Sequence, residues 1–347
     1  IFIYQDSLSN NVNTRHKFIQ SDSRQIDCID DDEIDLTVTS PPYPMIPMWD
    51  SDFSQMNEDI DLENRPEKQC FELMHQELNK VWEEVDRVSK DNSIVCVNVG
   101  DATRKVSNYQ FFPNHSKVIE KFLDMGWELQ SYIIWNKPTN KSNKFFGSVN
   151  LPPNSYVTIE NEFILVFRRD GCLSYEDKDM RYNSSYFYNE RNQWFSSPWE
   201  IMGEDQHLDV HRNTAGCFPL EIPYRLINMF SIQGDTVLDP FIGTGTTSVA
   251  SVMSARDSIG IDISDDLVGK CLDTFDSCDL KSSTREMNEG RIQNHLDYVN
   301  QSQKTMNYDT RYNFGSITKQ AKEIRLPYID EISREDEEYV ASHHFSR

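Results

Sequence analysis

The sequence predicts an α/β fold built on a mostly parallel, doubly wound sheet. Two observations lead to this prediction. Short apolar segments alternate with longer segments whose apolar residues recur at helical spacing. Several of the short segments also end in loops that contain Gly or Pro, as strands buried on both faces do. The 347 residues are enough for one large domain or two.

The amino-terminal half of the chain contains the first alternations. Residues 34–39 form a β-rich run that two prolines stop, and residues 70–88 carry apolar side chains at helical spacing. We expect the acidic segment 50–67 between them to be a surface loop. Three further strands and one helix are predicted at residues 93–99, 130–135, 161–167 and 118–125.

The carboxyl-terminal half repeats the pattern after an irregular stretch. Residues 170–197 are rich in Tyr, Asn, Ser and charged residues and show no clear period. Two helices and two strands are then predicted at residues 222–230, 247–254, 236–239 and 258–263. Beyond about residue 280 the chain is polar with weak periodicity, so we expect a helical extension or a partly disordered tail.

The acidic balance of the chain excludes one class of function. It holds 34 Lys and Arg against 57 Asp and Glu, which gives a formal net charge of −23. This excludes a generally basic protein that coats nucleic acid. It does not exclude a nucleic-acid enzyme, because the local field in a cleft, not the net charge, attracts the ligand. An acidic surface is also typical of proteins from a high-salt cytoplasm, which we keep as an alternative explanation.

The cysteine and histidine patterns predict no metal site. The seven cysteines are scattered, without a CxxC pair or a Cys/His cluster at zinc spacing, and indicate reduced thiols in a cytoplasmic protein. The acidic run Asp30–Glu33 lacks the spacing of a calcium loop, and we expect it to be solvated. We expect His343 and His344 to lie in a disordered tail. No apolar run reaches the roughly 18–20 residues of a membrane span.

The first motif with chemical meaning follows the strand at residues 236–239. It reads Asp239-Pro240-Phe241-Ile242-Gly243-Thr244-Gly245-Thr246-Thr247. Two glycines let the backbone approach a ligand at the end of a strand, where α/β sheets bind cofactors. The loop lacks both the Gly-Lys-Ser/Thr of a P-loop and the third glycine of a dinucleotide site. Asp262, at the next strand end, could bind ribose hydroxyls, so the pair predicts a nucleoside-containing cofactor without pyrophosphate. A tight turn beside a surface Asp is the alternative.

The second motif follows the strand at residues 34–39 and reads Thr39-Ser40-Pro41-Pro42-Tyr43. The prolines restrict the loop, and its carbonyl and hydroxyl oxygens could accept hydrogen bonds from an exocyclic amine. The tyrosine offers a face on which a planar base could stack. An ordinary proline turn is the alternative.

Together the two motifs resemble those of the amino-methylating DNA methyltransferases. In that family the glycine loop binds S-adenosylmethionine, and the proline motif holds the target base. The order of the motifs is similar to that of the circularly permuted β group, which disfavours an RNA or protein methyltransferase. Residues 133–137 and 162–167 resemble core strands of the family, and residues 215–227 resemble its cofactor-proximal motif. The resemblance implies a Rossmann-like methyltransferase fold with seven strands and a small target-recognition insert.

The resemblance also implies an activity. The chain would methylate a specific sequence in double-stranded DNA as the modification half of a prokaryotic restriction system, and a cognate restriction endonuclease could act on the same site. Ser-Pro-Pro-Tyr is typical of enzymes that methylate cytosine N4; adenine N6 is the alternative. A catalytically inactive cofactor- or DNA-binding module is a second alternative. The chain has no Pro-Cys pair, which disfavours methylation of cytosine C5. Monomer and homodimer both stay open.

Candidate site residues follow from the same resemblance. The catalytic set would be Ser40, Pro41, Pro42 and Tyr43: the Ser40 hydroxyl and the Pro41 carbonyl would accept hydrogen bonds from the amine, and Tyr43 would stack on the flipped base. The cofactor set would be Asp239, Phe241, Gly243, Gly245, Asp262, Phe218 and Thr214. Candidate DNA contacts are Lys137, Lys141, Arg168, Arg181, Arg191 and Arg212.

Four segments divide the chain on this interpretation. Residues 1–169 are the catalytic part, 170–211 the target-recognition region, 212–280 the cofactor-binding part and 281–347 a polar extension. Asp101 could line the base pocket or belong to a strand-end turn, and Thr246 and Thr247 are expected to cap and begin a helix.

Overall fold

One ten-stranded sheet runs through the part of the chain that the computed structural model describes. That part comprises residues 12–105, 109–137, 152–153, 156–170, 178–202 and 218–345. Three of the predicted site residues, Lys141, Arg212 and Thr214, lie outside the described residues.

The strands, numbered in chain order, are β1 (Val12–Gln20), β2 (Ile34–Thr39), β3 (Ser89–Val99), β4 (Ala102–Lys105), β5 (Tyr109–Phe112), β6 (Glu128–Asn136), β7 (Asn161–Arg168), β8 (Pro198–Glu200), β9 (Thr236–Asp239), β10 (Asp257–Asp262), β11 (Tyr308–Asp309), β12 (Gly315–Ser316), β13 (Pro327–Glu335) and β14 (Glu338–Phe345). The helices are α1 (Asp50–Met56), α2 (Glu67–Val88), α3 (Asn114–Asp124), α4 (Lys178–Asn183), α5 (Tyr188–Trp194), α6 (Glu221–Phe230), α7 (Thr246–Met253), α8 (Asp265–Ser277) and α9 (Leu280–Gln301). Short 3-10 helices span Pro47–Trp49 and Lys319–Glu323. Each strand and helix predicted between residues 34 and 263 is present and differs only at its ends.

The large sheet has the order β13-β14-β1-β10-β9-β2-β3-β7-β6-β8. Strands β1, β10, β9, β2 and β3 are parallel, whereas β7 is antiparallel to both β3 and β6. This confirms the predicted mostly parallel α/β sheet. The seven strands that the resemblance implies form its centre, from β1 to β6. Strands β13, β14 and β8 extend it to ten, and β4–β5 and β11–β12 form two small separate sheets.

Both faces of the sheet are buried, which explains the continuous apolar runs in the sequence. Along β3, Ile94 and Cys96 belong to one apolar cluster, with residues of α6 and α7. Val95 and Val97 point the other way, into a second cluster with residues of α2 and α3. Successive strand residues point to opposite faces, so helices that cover both faces leave no polar alternation along the strand.

Two expectations about surface segments are wrong. Residues 50–67 include helix α1, and Phe53 and Ile60 are buried at 0% and 1% exposure, so this segment is not a surface loop. His343 is not in a disordered tail, because it lies in β14 with 0% exposure. Its Nε2 pairs with Thr14 Oγ1 at 2.8 Å, and Thr14 Oγ1 also pairs with His16 Nε2 at 2.9 Å. These paired polar side chains inside the sheet hid β1 and β14 from an interpretation based on apolar periodicity.

Among the described residues, no helix combines the length and apolar character needed to cross a membrane.

Candidate active site

The two sequence motifs meet at one edge of the sheet because β2 and β9 are parallel neighbours. Thr39, at the end of β2, donates a hydrogen bond from Oγ1 to Oδ1 of Asp239, at the end of β9, over 2.6 Å. Thr247 Oγ1 donates to the other carboxylate oxygen at 2.6 Å, and the Phe241 amide donates to Oδ1 at 3.1 Å. Asp239 therefore joins the proline motif, the glycine loop and helix α7.

Asp239 is 2% exposed, and its burial raises the pKa of the carboxyl to about 6, although these three hydrogen bonds favour the charged form. Helix α7 begins at Thr246 with Gly245 as its N-cap, so Thr246 is not the cap. Thr247 has an additional part, because its hydroxyl is one of the Asp239 donors.

The glycine loop requires its glycines for conformation and for space. Gly243 and Gly245 have φ of 55° and 88°, in the left-handed region that favours glycine. A Cβ on Gly245 would lie 3.2 Å from Cys271 Sγ. The loop is also held close to β10, since the Ile242 amide donates to the Ile261 carbonyl at 2.9 Å. These contacts fix one side of the loop and leave Gly243 on the wall of a cleft.

Asp262 ends β10 beside the glycine loop. Its Oδ2 accepts a hydrogen bond from the Gly243 amide at 3.1 Å, and its Oδ1 accepts one from the Ser264 amide at 2.9 Å. Burial raises the pKa of this carboxyl above its ordinary value. Each oxygen has a further lone pair, so Asp262 can also accept hydrogen bonds from hydroxyls of a ligand.

A cleft of about 310 Å³ lies between the glycine loop, the proline motif and helix α2. Of the predicted residues, Ser40, Pro42, Asp239, Phe241, Gly243, Asp262 and Phe218 line it. Pro41 is buried, and Gly245 lies behind the loop against Cys271. The carboxylates on the described lining are Asp22, Asp52, Glu77, Asp239 and Asp262. The one cation on that described lining is Arg24, which pairs with Asp22 and Glu77 at 2.7 Å each. This excess of carboxylates suits a positively charged ligand.

Next to the cleft, Tyr43 is the centre of a hydrogen-bonded group. Its hydroxyl donates to Glu162 Oε2 at 3.0 Å and accepts from Asn98 Nδ2 at 2.8 Å. Ser40 Oγ lies 2.8 Å from the same hydroxyl. Burial, followed by the charge of Glu162, raises the pKa of Tyr43 well above its ordinary value, so the phenol stays neutral. A Cβ on Gly100 would lie 2.9 Å from the tyrosine ring, so the ring position depends on that glycine.

Sequence reasoning missed Asn98 and Glu162. Asn98 Nδ2 donates to Glu162 Oε2 at 2.7 Å, and Lys137 forms an ion pair with the other oxygen of that carboxylate. The signal was a polar residue at the end of an otherwise apolar strand, since Asn98 is near the end of β3 and Glu162 near the start of β7. Asp101 instead pairs with His115 Nδ1 at 2.8 Å and accepts from its amide, which agrees with the strand-end turn.

The candidate DNA contacts do not form one surface. Lys137 lies beside Glu162 at the active edge, with its ammonium 4.3 Å from the centre of the Trp135 ring. Arg168, Arg181 and Arg191 instead line a groove at the opposite edge. Arg168 ends β7 six residues after Glu162, which corresponds to roughly 20 Å of strand. The prediction of one continuous basic surface is therefore wrong, because β7 carries the chain from one edge of the sheet to the other.

Arg169 is another part of the predicted basic stretch that contacts the protein itself. Its Nη1 donates to the Asp86 carbonyl at 3.0 Å and lies 3.5 Å from an oxygen of Asp32. This arginine braces the ends of α2 and β7 and is not directed at the cleft.

Comparison with known proteins gives a family and close relatives. Residues 34–270 match the family model described as DNA methylase. The chain is 42% identical over 328 residues to the Type II methyltransferase M.MthZI of Methanothermobacter thermautotrophicus, and the match covers 91% of each protein. It is 49% identical over 272 residues to the Type II methyltransferase M.MjaI of Methanocaldococcus jannaschii, which covers 74% of this chain and 89% of that one.

Solved structures share the fold. The protein TTHA0409 of Thermus thermophilus, solved as a complex with S-adenosyl-L-methionine, has a TM-score of 0.58 and 25% identity, and the match covers 78% of this chain and 93% of that one. The cytosine-N4-specific PvuII DNA methyltransferase has a TM-score of 0.55 and 15% identity, with 80% and 93% covered. At that identity the second likeness concerns the fold alone.

Proposed function

This chain belongs to the DNA methylase family, and we propose that it transfers a methyl group from S-adenosyl-L-methionine to the exocyclic N4 amine of cytosine in double-stranded DNA. The observation that carries this proposal is the meeting of the Ser40–Tyr43 motif and the glycine loop around one acidic cleft. The Type II methyltransferase M.MthZI, which matches over 91% of its length, supports a role as the modification enzyme of a restriction system. A cognate endonuclease and a cytoplasmic location are parts of the same proposal.

The cleft residues fit S-adenosyl-L-methionine. When bound, this cofactor supplies an electrophilic methyl group on a positively charged sulfonium. The excess of carboxylates on the described lining favours a cation, and Asp262 has acceptor capacity for ribose hydroxyls. Phe241 and Phe218 provide apolar walls, and the Phe241 ring packs edge-on against Trp82 at 6.0 Å, which holds it in place. Thr214 stays a prediction.

Ser40 is the residue we propose to contact the target amine. Tyr43 has one hydroxyl proton and gives it to Glu162, so the Ser40 hydroxyl donates to the phenol oxygen. This leaves the lone pairs of Ser40 Oγ on the cleft side as acceptors for an amine N–H. An acceptor at that place draws the nitrogen toward sp³ geometry and directs its lone pair at the methyl group. The Pro41 carbonyl is the second acceptor in the proposal.

Proton removal follows from the same group of side chains. When the nitrogen–methyl bond forms and the sulfur–methyl bond breaks, the nitrogen carries one proton too many. Ser40 Oγ can accept it while passing its own proton to Tyr43, which passes its proton to Glu162. Asn98 and Lys137 hold the Glu162 carboxylate in position for this relay. Tyr43 is also the proposed stacking platform for the flipped base, and its polar neighbours and Gly100 keep the ring in one place.

Adenine N6 is the second candidate target, because the matched family is named for both N6 and N4 methylation. The same acceptors would grip either exocyclic amine. Support for cytosine comes from the Ser-Pro-Pro-Tyr motif.

The test is nucleoside analysis of genomic DNA after incubation with the protein and S-adenosyl-L-methionine. We expect N4-methylcytosine by mass, and none with the Tyr43→Ala variant prepared in the same way, which controls for a contaminating methylase. N6-methyladenine would overturn the base assignment but not the mechanism. No methylated base, with cofactor binding intact, would favour the inactive module.

A further inference from the structure

A second large groove lies at the edge of the sheet opposite the active site. It is open, has a volume of about 890 Å³, and is built from the end of β7, the segment 178–195 and the end of α6. Ile94, at the amino-terminal end of β3, lies in its wall, whereas Gly100 follows the other end of β3 beside Tyr43. The body of the sheet therefore separates this groove from the methyl-transfer site.

The groove is basic in an otherwise acidic protein. Its cations are Arg168, Lys178, Arg181 and Arg191, and none of the described residues that line it is Asp or Glu. Within the described part of the chain, no ion pair joins Arg168, Lys178 or Arg191 to a carboxylate. The Nε of Arg168 is buried without a hydrogen-bond acceptor among the described residues. Positive charge is thus concentrated on this lining, which favours an anionic ligand.

Aromatic rings line the same groove. Tyr182 and Phe195 are 37% and 43% exposed, unusually open for such large rings. Tyr186 lies beside them, with its ring centre 5.4 Å from that of Phe195, and Phe230 contacts Phe195 edge-on at 6.1 Å. Arg191 and Arg181 are near enough to Tyr186 for their charges to lower its pKa, although burial raises that pKa overall. Cations and exposed ring faces therefore occupy one concave surface.

We propose that this groove is a second nucleic-acid site, which binds a nucleotide by its phosphate on the arginines and by its base on the aromatic rings. Guanidinium groups bind phosphate oxygens in a bidentate manner, and exposed rings stack on unpaired bases of any sequence. The ligand is a single-stranded segment or a free nucleotide, because paired bases inside a duplex do not present their faces. The proposal goes beyond the methyl transfer at Ser40 and does not require it.

The test is fluorescence anisotropy with a labelled single-stranded octanucleotide, without S-adenosyl-L-methionine. The charge variant is Arg181→Ala with Arg191→Ala, and the aromatic variant is Tyr182→Ala with Phe195→Ala. Lys281→Ala, which removes an exposed lysine on α9 away from the groove, is the matched control. The groove variants replace side chains on the surface of an open groove, and thermal unfolding checks that each variant is folded.

We expect each groove variant to weaken binding by about tenfold or more, while Lys281→Ala binds like the parent protein. The charge variant should also lower the slope of log K against log salt by about 1.4, or about 0.7 for each lost cation. Adenosine monophosphate that displaces the probe would identify a free nucleotide as a ligand, and displacement only by an unlabelled strand would identify a single strand.

Two results would overturn the proposal. If both groove variants bind the probe as the parent does, the strand occupies the catalytic cleft alone. If an abasic strand or inorganic phosphate competes as well as the intact strand and the aromatic variant is unaffected, the groove binds anions without recognising nucleotides.

Discussion

The two edges of the sheet differ in charge although they belong to the same molecule. Five carboxylates and one arginine line the cleft at the carboxyl-terminal edge of the parallel strands, among the described residues. Four cations and no carboxylate line the described part of the groove at the other edge. The net charge of −23 conceals both facts. A cleft attracts ligands by its own field, so the acidic edge suits a cationic methyl donor and the basic edge suits phosphates.

The two edges also differ in how they are built. At the acidic edge the functional side chains hold one another, since the Asp239 carboxylate accepts three hydrogen bonds and the Tyr43 hydroxyl has three partners. At the basic edge the short helices α4 and α5 present exposed cations and rings. The difference teaches that the sheet positions the reactive groups, whereas an irregular insert supplies an adaptable binding surface. Four predictions would break or sharpen this contrast.

The largest expected effect concerns Asp239 and pH. Its folded pKa of about 6 lies above the ordinary 3.8, so the folded state holds a proton that the unfolded chain has lost between these values. Asp239 should therefore cost stability as pH rises from about 4 to 6, by about 3 kcal/mol at most. Asp239→Asn, which resembles the protonated form, should gain stability relative to the parent by up to that amount between about pH 4 and 7. Parallel urea-unfolding profiles for the two proteins would contradict this.

The second prediction concerns the tyrosine platform. Tyr43→Ala should lower kcat by about 5–150-fold, because roughly 1–3 kcal/mol of stacking on the flipped base is lost. The dissociation constant for the cofactor should change little. Tyr43→Phe keeps the ring but interrupts the path from Ser40 to Glu162, so steady-state kinetics of this variant separate stacking from proton removal. Full activity of Tyr43→Ala would exclude the platform role.

The third prediction concerns the glycine loop. Gly245→Ala should destabilise the protein by about 1–2 kcal/mol, because φ of 88° disfavours a side chain and Cys271 lies in its way. Gly290→Ala is the matched control, since Gly290 lies in helix α9 and a methyl group there would meet no atom within 4 Å. This control should stabilise the protein by about 0.5–1 kcal/mol. Denaturant unfolding measures both. Equal changes for the two variants would show that the loop tolerates a side chain.

The smallest effect should come from Asp262. Asp262→Ala should weaken S-adenosyl-L-methionine binding by about tenfold in calorimetry, because an acceptor for ribose hydroxyls is lost. Asp265→Ala, at the exposed start of α8, is the control and should bind as the parent does. Oligonucleotide binding in the far groove should be unchanged in both. An unaltered cofactor affinity in Asp262→Ala would remove the ribose assignment.

The sequence by itself determined the parallel strands, most of the helices and the two motifs, because these depend on local periodicity and on Gly and Pro at strand ends. It also implied that the motifs meet, since parallel strands end at one edge of a sheet. Only the tertiary structure decided that Glu162 bonds Tyr43, 119 positions away, and that Arg168 lies at the opposite edge from Lys137. It also decided that polar residues such as His343 are buried within the sheet. Such contacts depend on which distant segments pair and on strand direction, and a linear pattern of apolar residues carries neither.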